Sequence, residues 1–198
     1  MPHLFGEHIY LRDYNSGDVD GVREWANDLD TVRYLSARYW MPQSHADAAD
    51  FVDHAMRAGT NGAFFVIAAR DGGVYLGQID LFSINWRLRS AEMAIVLGRE
   101  GLRGKGIGGE AIGLLLRYAF TMLGLERVEL EVAAENTRAI RCYQRAGFQI
   151  EGVKRHAFMV DGKHTDLTVM AVLAEEWRSA HPVQAQQRAL EANDNGRV

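Results

Sequence analysis

The chain has 198 residues, of which 47% are hydrophobic and 24% are charged. These proportions fit one globular domain with a substantial core, and they exclude a disordered chain and a membrane protein. The formal net charge of −4 speaks against non-specific binding of nucleic acid, and the apolar stretch "AFFVIAA" is too short to cross a bilayer. The sequence therefore predicts one domain that has neither a nucleic acid nor a membrane as its partner.

The first residues, "MPHLFGEHIYLRD", lack the basic and apolar regions of a secretory signal. The chain contains one cysteine, Cys142, so it cannot form an internal disulfide, which fits a reducing compartment. Seven histidines are scattered along the chain, and none lies at metal-ligand spacing from cysteines or acidic residues. We therefore expect a cytoplasmic protein without a metal site.

The first half of the chain predicts a strand, "HIYLRD", followed by two helices and an antiparallel meander. The first helix opens at Ser16 and places four apolar residues on one face: Val19, Val22, Trp25 and Ala26. The second helix, "SHADAADFVDHAMRA", begins with Ser44 and Asp47 at the spacing of a capping box. Runs rich in β-branched and aromatic residues then predict the three strands of the meander: "AFFVIAAR", "VYLGQIDLF" and "AEMAIVL".

The second half opens with a glycine-rich loop that leads into a helix at about Glu110 to Leu123. "RVELEVA" alternates apolar and acidic residues, as a half-exposed strand does. "NTRAIRCYQRAGF" predicts a short helix with Asn136 or Thr137 near its N-cap and Gly147 just past its end. The segments "FQIEGV", "RHAFMV" and "KHTDLTVMAVL" predict strands, and "DG" predicts a hairpin turn between the last two.

The loop "LRGKGIGGEAIG" raises the question of a ligand. Glycines at a strand-to-helix junction let backbone N–H groups converge, and the helix N-terminus adds its positive end, a geometry that binds phosphate. The alternative is a tight turn that only requires small residues. Arg103 and Lys105 inside the loop favour an anion.

Two nucleotide-binding motifs fit this loop poorly. A Walker loop requires Ser or Thr after Gly-Lys, and here Gly106 follows Lys105. Gly104, Gly106 and Gly109 match the G-x-G-x-x-G of dinucleotide-binding proteins, and acidic residues follow about twenty positions later. The motif comes after a meander, however, and does not open a βαβ array, so a nicotinamide-dependent dehydrogenase is disfavoured.

A third pattern, R/Q-x-x-G-x-G/A, is filled by Arg103, Gly106 and Gly108 after a strand and before a helix. The later segment "ENTRAIRCYQRAGF" matches N-x-x-A-x-x-x-Y-x-x-x-G-F through five residues: Asn136, Ala139, Tyr143, Gly147 and Phe148. With both motifs the chain resembles the GNAT superfamily of acetyl-CoA-dependent N-acetyltransferases. The resemblance covers about residues 8–178 and implies a single mixed α/β (α+β) domain, with a central, mostly antiparallel twisted sheet flanked by helices. Residues 179–198 are polar and are predicted to form a C-terminal tail.

The resemblance implies acetyl-CoA as the acetyl donor. The loop would bind the pyrophosphate of coenzyme A through six residues: Arg103, Gly104, Lys105, Gly106, Ile107 and Gly108. The strand before the loop would pair by its main chain with the pantetheine arm, and a main-chain N–H there would polarise the thioester. The residues concerned are Ile95, Val96 and Leu97. Asn136 would hold coenzyme A or cap its helix.

The catalytic residues are also implied by the resemblance. Tyr143 is the expected general acid, because the ordinary pKa of tyrosine, about 10, is close to that of a thiol leaving group. Glu92, at the start of the strand that leads to the thioester, is the expected acceptor of the amine proton. Asp80 is a candidate for holding a cationic acceptor, and Cys142 is interpreted as a packed thiol because direct transfer needs no cysteine nucleophile.

Within the superfamily, "INWRLRSAEMAIVL", "VRYL" and "FMVDGKHTDLTVMAVL" resemble the branch of spermidine/spermine and ribosomal-protein N-terminal acetyltransferases. The chain departs from the polyamine enzymes because "ARYWMPQS" has no acidic residue and because Ser83 stands where an acid is often found. The resemblance implies acetylation of a primary amine, on a polyamine-like small molecule or a protein N-terminus, by a homodimer. A non-catalytic acyl-CoA-binding sensor or partner module on the same fold is the alternative.

Overall fold

The structure is a computed structural model that describes residues 3–98, 101–102 and 104–182. The strands in these ranges are β1 (Leu4–Phe5), β2 (Ile9–Arg12), β3 (Ala63–Ala69), β4 (Tyr75–Asn85), β5 (Ser90–Leu97), β6 (Arg127–Ala133), β7 (Gln149–Val160) and β8 (Lys163–Leu173). The α-helices are α1 (Val19–Ala26), α2 (Leu29–Val32), α3 (His45–Arg57), α4 (Ile107–Arg117), α5 (Thr137–Arg145) and α6 (Ala174–Ala180). The expected tail therefore starts inside α6, and residues 183–198 lie outside the described ranges.

The strands form one sheet in the order β1-β2-β3-β4-β5-β6-β8-β7. The predicted meander is confirmed, since β3, β4 and β5 pair antiparallel in sequence. One neighbouring pair, β5 with β6, runs parallel. The prediction of a mixed α/β fold with a mostly antiparallel sheet is thus confirmed, and the parallel pair follows from the crossover that α4 makes between β5 and β6.

The sheet packs helices on both faces. One face, termed the α4 face, contributes alternate residues of the strands to the larger core cluster, together with α4 and Trp177 of α6. The opposite face, termed the α1–α3 face, packs Val66, Ala68 and Val96 against α1 and α3. Residues of α5, among them Tyr143, pack against the larger cluster. No helix in the described ranges is long and apolar enough to cross a membrane.

Local side-chain chemistry sets the starts of the N-terminal helices. The Ser44 hydroxyl accepts a hydrogen bond from the Asp47 N–H (3.2 Å), and Asp47 accepts one from the Ser44 N–H (2.8 Å), so the predicted capping box is confirmed. The prediction that Ser16 opens the first helix is wrong. Asn15 is the N-cap of a short 3-10 turn over Ser16–Asp18, because its side chain accepts from the Gly17 N–H and the Asp18 carboxylate bonds back to the Asn15 N–H.

Glycine positions set the helix ends in the second half of the chain. α4 begins at Ile107, three residues before the predicted Glu110, because Gly106 is its N-cap and the following glycines are already helical. Gly147, with φ of 100°, lies just past the C-cap of α5, as predicted. The turn of the β7–β8 hairpin, Asp161–Gly162, has positive φ at both residues, which is typical of a two-residue hairpin turn.

Candidate active site

The sheet opens between its two parallel strands. Three pairs of residues are aligned between β5 and β6: Ser90 with Arg127, Ala91 with Val128, and Glu92 with Glu129. Beyond them β5 continues to Leu97 and β6 to Ala133 without being aligned with each other. The strands therefore diverge into a wedge, termed the sheet opening, whose sides carry backbone groups that face a gap.

The main chain of β5 shows which residues face this opening. The Gly98 N–H donates to the Leu76 carbonyl of β4 at 2.9 Å. In an antiparallel ladder every second residue bonds to the same neighbour, so the main chain of Val96 also faces β4. The N–H and C=O groups of Ile95 and Leu97 therefore face the sheet opening. Of the three residues expected to pair with pantetheine, these two present backbone groups on the correct side.

The glycine-rich loop leads directly into α4. Gly104 and Gly106 have φ of 82° and 83°, a conformation that favours glycine, and both are exposed together with Lys105. Gly106 is the N-cap and has no side chain that could accept hydrogen bonds from the first-turn N–H groups. The start of α4 can therefore offer N–H groups to an anion. Arg103, which the sequence assigns to the same site, lies outside the described residues.

Gly108 connects the loop to the other parts of the site. A Cβ atom at this glycine would lie 3.7 Å from the Leu97 side chain and 3.8 Å from the Cys142 Sγ. The start of α4, the end of β5 and the middle of α5 therefore meet at one point. Ile107, beside Gly108, turns its side chain into the core and anchors the helix start there.

Tyr143 lies on α5 and packs against the core cluster of the α4 face. Its ring centroid lies 5.9 Å from that of Phe148, which follows the helix. Burial raises the pKa of Tyr143, and the neighbouring Cys142 raises it further. The phenol is thus held protonated well above neutral pH, as a proton donor must be.

Asn136 is the N-cap of α5, since its side-chain oxygen accepts a hydrogen bond from the Ala139 N–H at 3.2 Å. It also lines a cleft of about 350 Å³ between the end of α2 and the start of α5. The other lining residues are Asp30, Arg33, Tyr34, Glu135, Thr137 and Arg138. Capping uses one lone pair of the amide oxygen, and the amide nitrogen of Asn136 has no hydrogen bond to any residue that the structure describes, so it can donate to a ligand in this cleft.

Three glutamates share the α1–α3 face where the strands separate: Glu92, Glu129 and Glu131. The Arg127 guanidinium lies 2.7 Å from a Glu129 oxygen, and Lys154 pairs with Glu131. Glu92 has neither a hydrogen bond nor an ion pair to any described residue. The start of the sheet opening therefore carries an acidic surface, on which Glu92 has no direct hydrogen bond or ion pair among the described residues and interacts with Lys154 only at longer range.

Asp80 lies deeper, on β4, with 5% of its surface exposed. One oxygen accepts a hydrogen bond from the Gln78 amide at 3.2 Å, while the other has no hydrogen-bond partner among the described residues. Burial raises the pKa of Asp80 to about 8, although the nearby Phe65 backbone and Gln78 oppose this shift. A carboxyl group with this pKa can exchange a proton close to neutral pH.

Ala94 is the neighbour of both Asp80 and Glu92 on this face of the sheet. It is exposed on β5, is aligned with Asp80 across the ladder, and lies two residues from Glu92 on the same face. Ala94 is not recognisable as a site residue in the sequence, because its methyl group carries no chemical signal. Only the register between β4 and β5 could have identified it. Within the described residues no three His, Cys, Asp or Glu side chains form a metal-binding group.

An opened parallel strand pair, with a glycine-capped helix start and a helix tyrosine beside it, fits an enzyme that transfers an acyl group from coenzyme A. Comparison with known protein families supports this class, because the Acetyltransferase (GNAT) domain family matches residues 8–149. The chain belongs to this family, and it is an acetyl-CoA-dependent N-acetyltransferase. The comparisons thus favour the enzyme over the non-catalytic alternative.

The relatives agree in sequence and in structure. Spermidine N(1)-acetyltransferase of Escherichia coli (strain K12) is 27% identical over 178 residues, which cover 90% of this chain and 92% of the relative. The putative ribosomal N-acetyltransferase YdaF of Bacillus subtilis (strain 168) is 35% identical over 105 residues, covering 53% of this chain and 57% of the relative. The crystal structure of spermidine N-acetyltransferase from Vibrio cholerae in complex with CoA and spermine superposes with a TM-score of 0.77 at 26% identity. This superposition covers 87% of this chain and 99% of that one.

Proposed function

We propose that this enzyme acetylates a primary amine, carried by a polyamine-like small molecule or by a protein N-terminus. The observation that carries this proposal is the placement of Glu92 and Asp80 on either side of Ala94, next to the sheet opening. A cationic amine that enters over the exposed Ala94 meets two carboxylates there, one of them without a partner among the described residues. The names of the relatives, which include spermidine and ribosomal acetyltransferases, support both kinds of acceptor.

In this proposal coenzyme A lies along the sheet opening. Its pyrophosphate is bound by the N–H groups of the loop from Gly104 to Gly108, with charge from Arg103 and Lys105. Its pantetheine arm pairs with the main chain of Ile95 and Leu97, and Val96 keeps the spacing between them. One of the N–H groups that face the opening polarises the thioester carbonyl. Asn136, at the start of α5, also holds coenzyme A.

The chemical step is direct transfer. The acceptor ammonium loses a proton to a carboxylate, and the neutral nitrogen attacks the thioester carbon, forming the C–N bond. When the tetrahedral intermediate collapses, the C–S bond breaks and its electron pair stays on sulfur, which takes the proton of Tyr143. The tyrosinate then takes the second proton from the acetylated nitrogen, so that amide, thiol and phenol are all neutral again.

The two faces of the sheet separate the proton donor from the proton acceptors. Tyr143 belongs to the helix that packs on the α4 face, whereas Asp80 and Glu92 lie on the α1–α3 face. The carboxylates therefore take the first proton of the ammonium while Tyr143 keeps its proton for the thiolate, and Tyr143 exchanges a proton with the nitrogen only after the transfer. Burial raises the pKa of Tyr143, and it also raises that of a thiol in the same surroundings, so the proton transfer stays close to balanced.

An acceptor screen tests this function. Purified protein is incubated with acetyl-CoA and a panel that contains spermidine, spermine, short peptides with free N-termini and lysine, and free thiol is measured. Turnover with a polyamine or a peptide is expected, and the ratio of kcat/KM values decides between them. Absence of thiol release with every amine, in a protein that binds acetyl-CoA in calorimetry, contradicts the proposal and favours a sensor.

Three further expectations belong to this proposal. The catalytic domain spans residues 8–178 with a polar tail after it, which agrees with the family match over 8–149 and with α6 ending at Ala180. The protein acts in the cytoplasm, where acetyl-CoA is available and where Cys142 stays reduced. It forms a homodimer, which sedimentation equilibrium would establish.

A further inference from the structure

We infer that Asp80 takes the proton from the acceptor ammonium, while Glu92 holds that cation beside Ala94. This inference rests on the proposed function and reverses the roles that the sequence favours for the two carboxylates. The surroundings of the two carboxylates differ in burial, in hydrogen bonding and in the charges nearby.

Asp80 lies within reach of an amine above Ala94. The two residues are a hydrogen-bonded pair of the β4–β5 ladder, since the pairing alternates from Gly98 and Leu76. Such pairs have Cα atoms about 5.5 Å apart, and their side chains project from the same face. Because Ala94 carries only a methyl group and is exposed, nothing in its own side chain separates Asp80 from a molecule bound there. Proton transfer to a carboxylate can take place directly or through one water molecule.

The free oxygen of Asp80 is the group that would accept the proton. Gln78 donates to Oδ2, which fixes the orientation of the carboxyl group. The Phe65 backbone N–H lies near the carboxyl group and favours its ionised form, but Oδ1 has no hydrogen bond of ordinary geometry from any described residue. The Gln78 oxygen in turn lies 3.4 Å from the Tyr75 hydroxyl, which accepts from the Trp25 ring N–H at 2.9 Å. This chain of side chains holds one oxygen of Asp80 and leaves the other for the acceptor. A buried polar atom without a partner is costly, and an incoming N–H or O–H donor removes that cost.

The groups around Asp80 leave its charge unneutralised. Three tyrosines interact with it electrostatically, Tyr14 from the loop after β2, Tyr39 from the turn before α3, and Tyr75 from β4, and burial raises the pKa of each. From α3, His54 packs its ring against Phe64, the residue aligned with Asp80 on β3.

The charged groups that remain nearby do not supply a cation. The Asp18 carboxylate, below α1, is held by the Arg12 guanidinium at 2.7 Å. Glu92 approaches from β5 and is itself negative. No cation therefore faces Asp80 from the described elements around it, so an ammonium ion is the natural partner of its ionised form, and transfer of one proton leaves both groups neutral.

Glu92 differs in each of these respects. It is half-exposed, it lies beside Glu129, and the Lys154 ammonium, paired with Glu131, is close enough for Glu92 to raise its pKa. A solvated carboxylate next to other carboxylates attracts a cation. Glu92 thus binds the ammonium, and the buried Asp80 receives its proton and releases it to solvent after the acetylated product leaves.

The pH dependence of kcat/KM tests this division of roles. With spermidine as the acceptor, the wild type should lose activity below about pH 8, where Asp80 becomes protonated. Asp80→Asn should lower kcat/KM at pH 8 by about 100-fold or more, and its activity should follow the free-amine form of the acceptor instead. Glu92→Gln should raise KM, and its kcat/KM should still fall below about pH 8, a fall termed the acidic limb of the pH profile. Asp53→Asn, on the exposed surface of α3, is the matched control and should behave as the wild type.

A second acceptor separates the enzyme's titration from that of the amine. A peptide with a free α-amine, whose pKa is about 8, replaces spermidine, whose amines titrate near the ordinary lysine value of about 10. In the wild type the limb should stay near pH 8 with both acceptors, and in Asp80→Asn it should move with the acceptor. A limb that persists in Asp80→Asn and disappears in Glu92→Gln overturns the inference.

A measurement that needs no turnover completes the test. The side-chain carboxyl carbon of Asp80, assigned by triple-resonance NMR in the wild type, should titrate near pH 8. A titration near the ordinary aspartate value of about 4 overturns the inference even if Asp80→Asn does not fold. Absence of turnover with every amine overturns the proposed function as well, so the two failures are distinguishable.

Discussion

Glu92 on β5 and Glu129 on β6 are the last aligned pair before these strands separate. Both carboxylates lie on the α1–α3 face, and Arg127 compensates Glu129, with 2.7 Å between the guanidinium and the carboxylate. Like charges directly opposite each other destabilise a sheet, so their position needs a reason outside the fold. A cation bound at the start of the sheet opening would relieve this repulsion, and in the proposed function the acceptor amine is that cation.

Glu92→Gln should therefore weaken the binding of a cationic acceptor. An exposed charge pair contributes up to about 1 kcal/mol, so KM for spermidine should rise by up to about fivefold at low ionic strength. The difference between variant and wild type should shrink in 1 M salt, because the Debye length falls to about 3 Å. Equal KM values at low salt would show that Glu92 does not contact the acceptor.

The glycine loop gives a second prediction, for acetyl-CoA binding. Gly106→Ala places a Cβ on a residue with φ of 83°, which costs about 1–2 kcal/mol and disturbs the first-turn N–H groups of α4. We expect a dissociation constant about tenfold higher in calorimetry. Gly109→Ala is the matched control, because Gly109 lies in the helix and an added Cβ would meet no atom within 4 Å, so this variant should bind acetyl-CoA as the wild type does. Equal affinities of the two variants would contradict the role of the loop.

Tyr143→Phe should lower kcat by about 100-fold or more, because the leaving thiolate loses its proton donor. The ring keeps its packing against Phe148, so the affinity for acetyl-CoA and the unfolding midpoint in urea should stay unchanged. Single-turnover measurements of thiol release separate the chemical step from product release. An unchanged rate in such an experiment removes the tyrosine from the mechanism.

Local chemistry explains which elements the sequence predicts well. Ser44 and Asp47 form their capping box from neighbouring residues alone, and Asn136 and Gly147 mark the ends of α5 in the same way. The α4 helix starts earlier than predicted. Gly106 is its N-cap, so Gly108, which the sequence assigns to the loop, already belongs to the first turn of the helix. Where the ends of a helix are set by contacts between neighbours in the sequence, the sequence alone is enough to predict them.

The site itself depends on long-range register. Asp80 and Ala94 are fourteen positions apart and meet only through the β4–β5 ladder, and the sheet opening exists because β5 and β6 stop pairing after Glu92. Burial, which changes the proton affinity of Asp80, is set by α1 and α3, which precede Asp80 by more than twenty residues in the sequence. Both carboxylates could be identified from the sequence. Their roles could not be assigned without knowing how deeply each is buried and which groups surround it.

The N-terminal helices that cover Asp80 are held by a buried ion pair. Arg12 binds both oxygens of Asp18 at 2.7 and 2.8 Å, and Asp18 is 4% exposed. Asp18→Ala leaves the guanidinium without its partner and should destabilise the protein by about 3–5 kcal/mol. The double variant Arg12→Met with Asp18→Leu should lose less, because it buries no unpaired charge. Urea unfolding of the three proteins measures this, and a double variant as unstable as the single one would contradict it.

The stability of the protein should also report the proton on Asp80. Burial holds its pKa at about 8 in the folded state, against about 3.9 in an unfolded chain. Between these values the folded state binds one more proton, so this contribution is complete below about pH 4 and declines as pH rises, by at most about 1.4 kcal/mol per pH unit. Above about pH 8 it is gone. Asp80→Asn, which resembles the protonated acid, should lack this decline.

Urea unfolding of the wild type and Asp80→Asn from pH 5 to 9 isolates the effect, because all other titrating groups are common to both proteins. The difference in the free energy of unfolding should change in favour of Asp80→Asn as the pH rises towards 8 and then level off. Parallel curves over the whole range would mean that Asp80 is already ionised at pH 5. Burial would then not hold a proton on this carboxyl group, and the base of the reaction would have to be sought at Glu92.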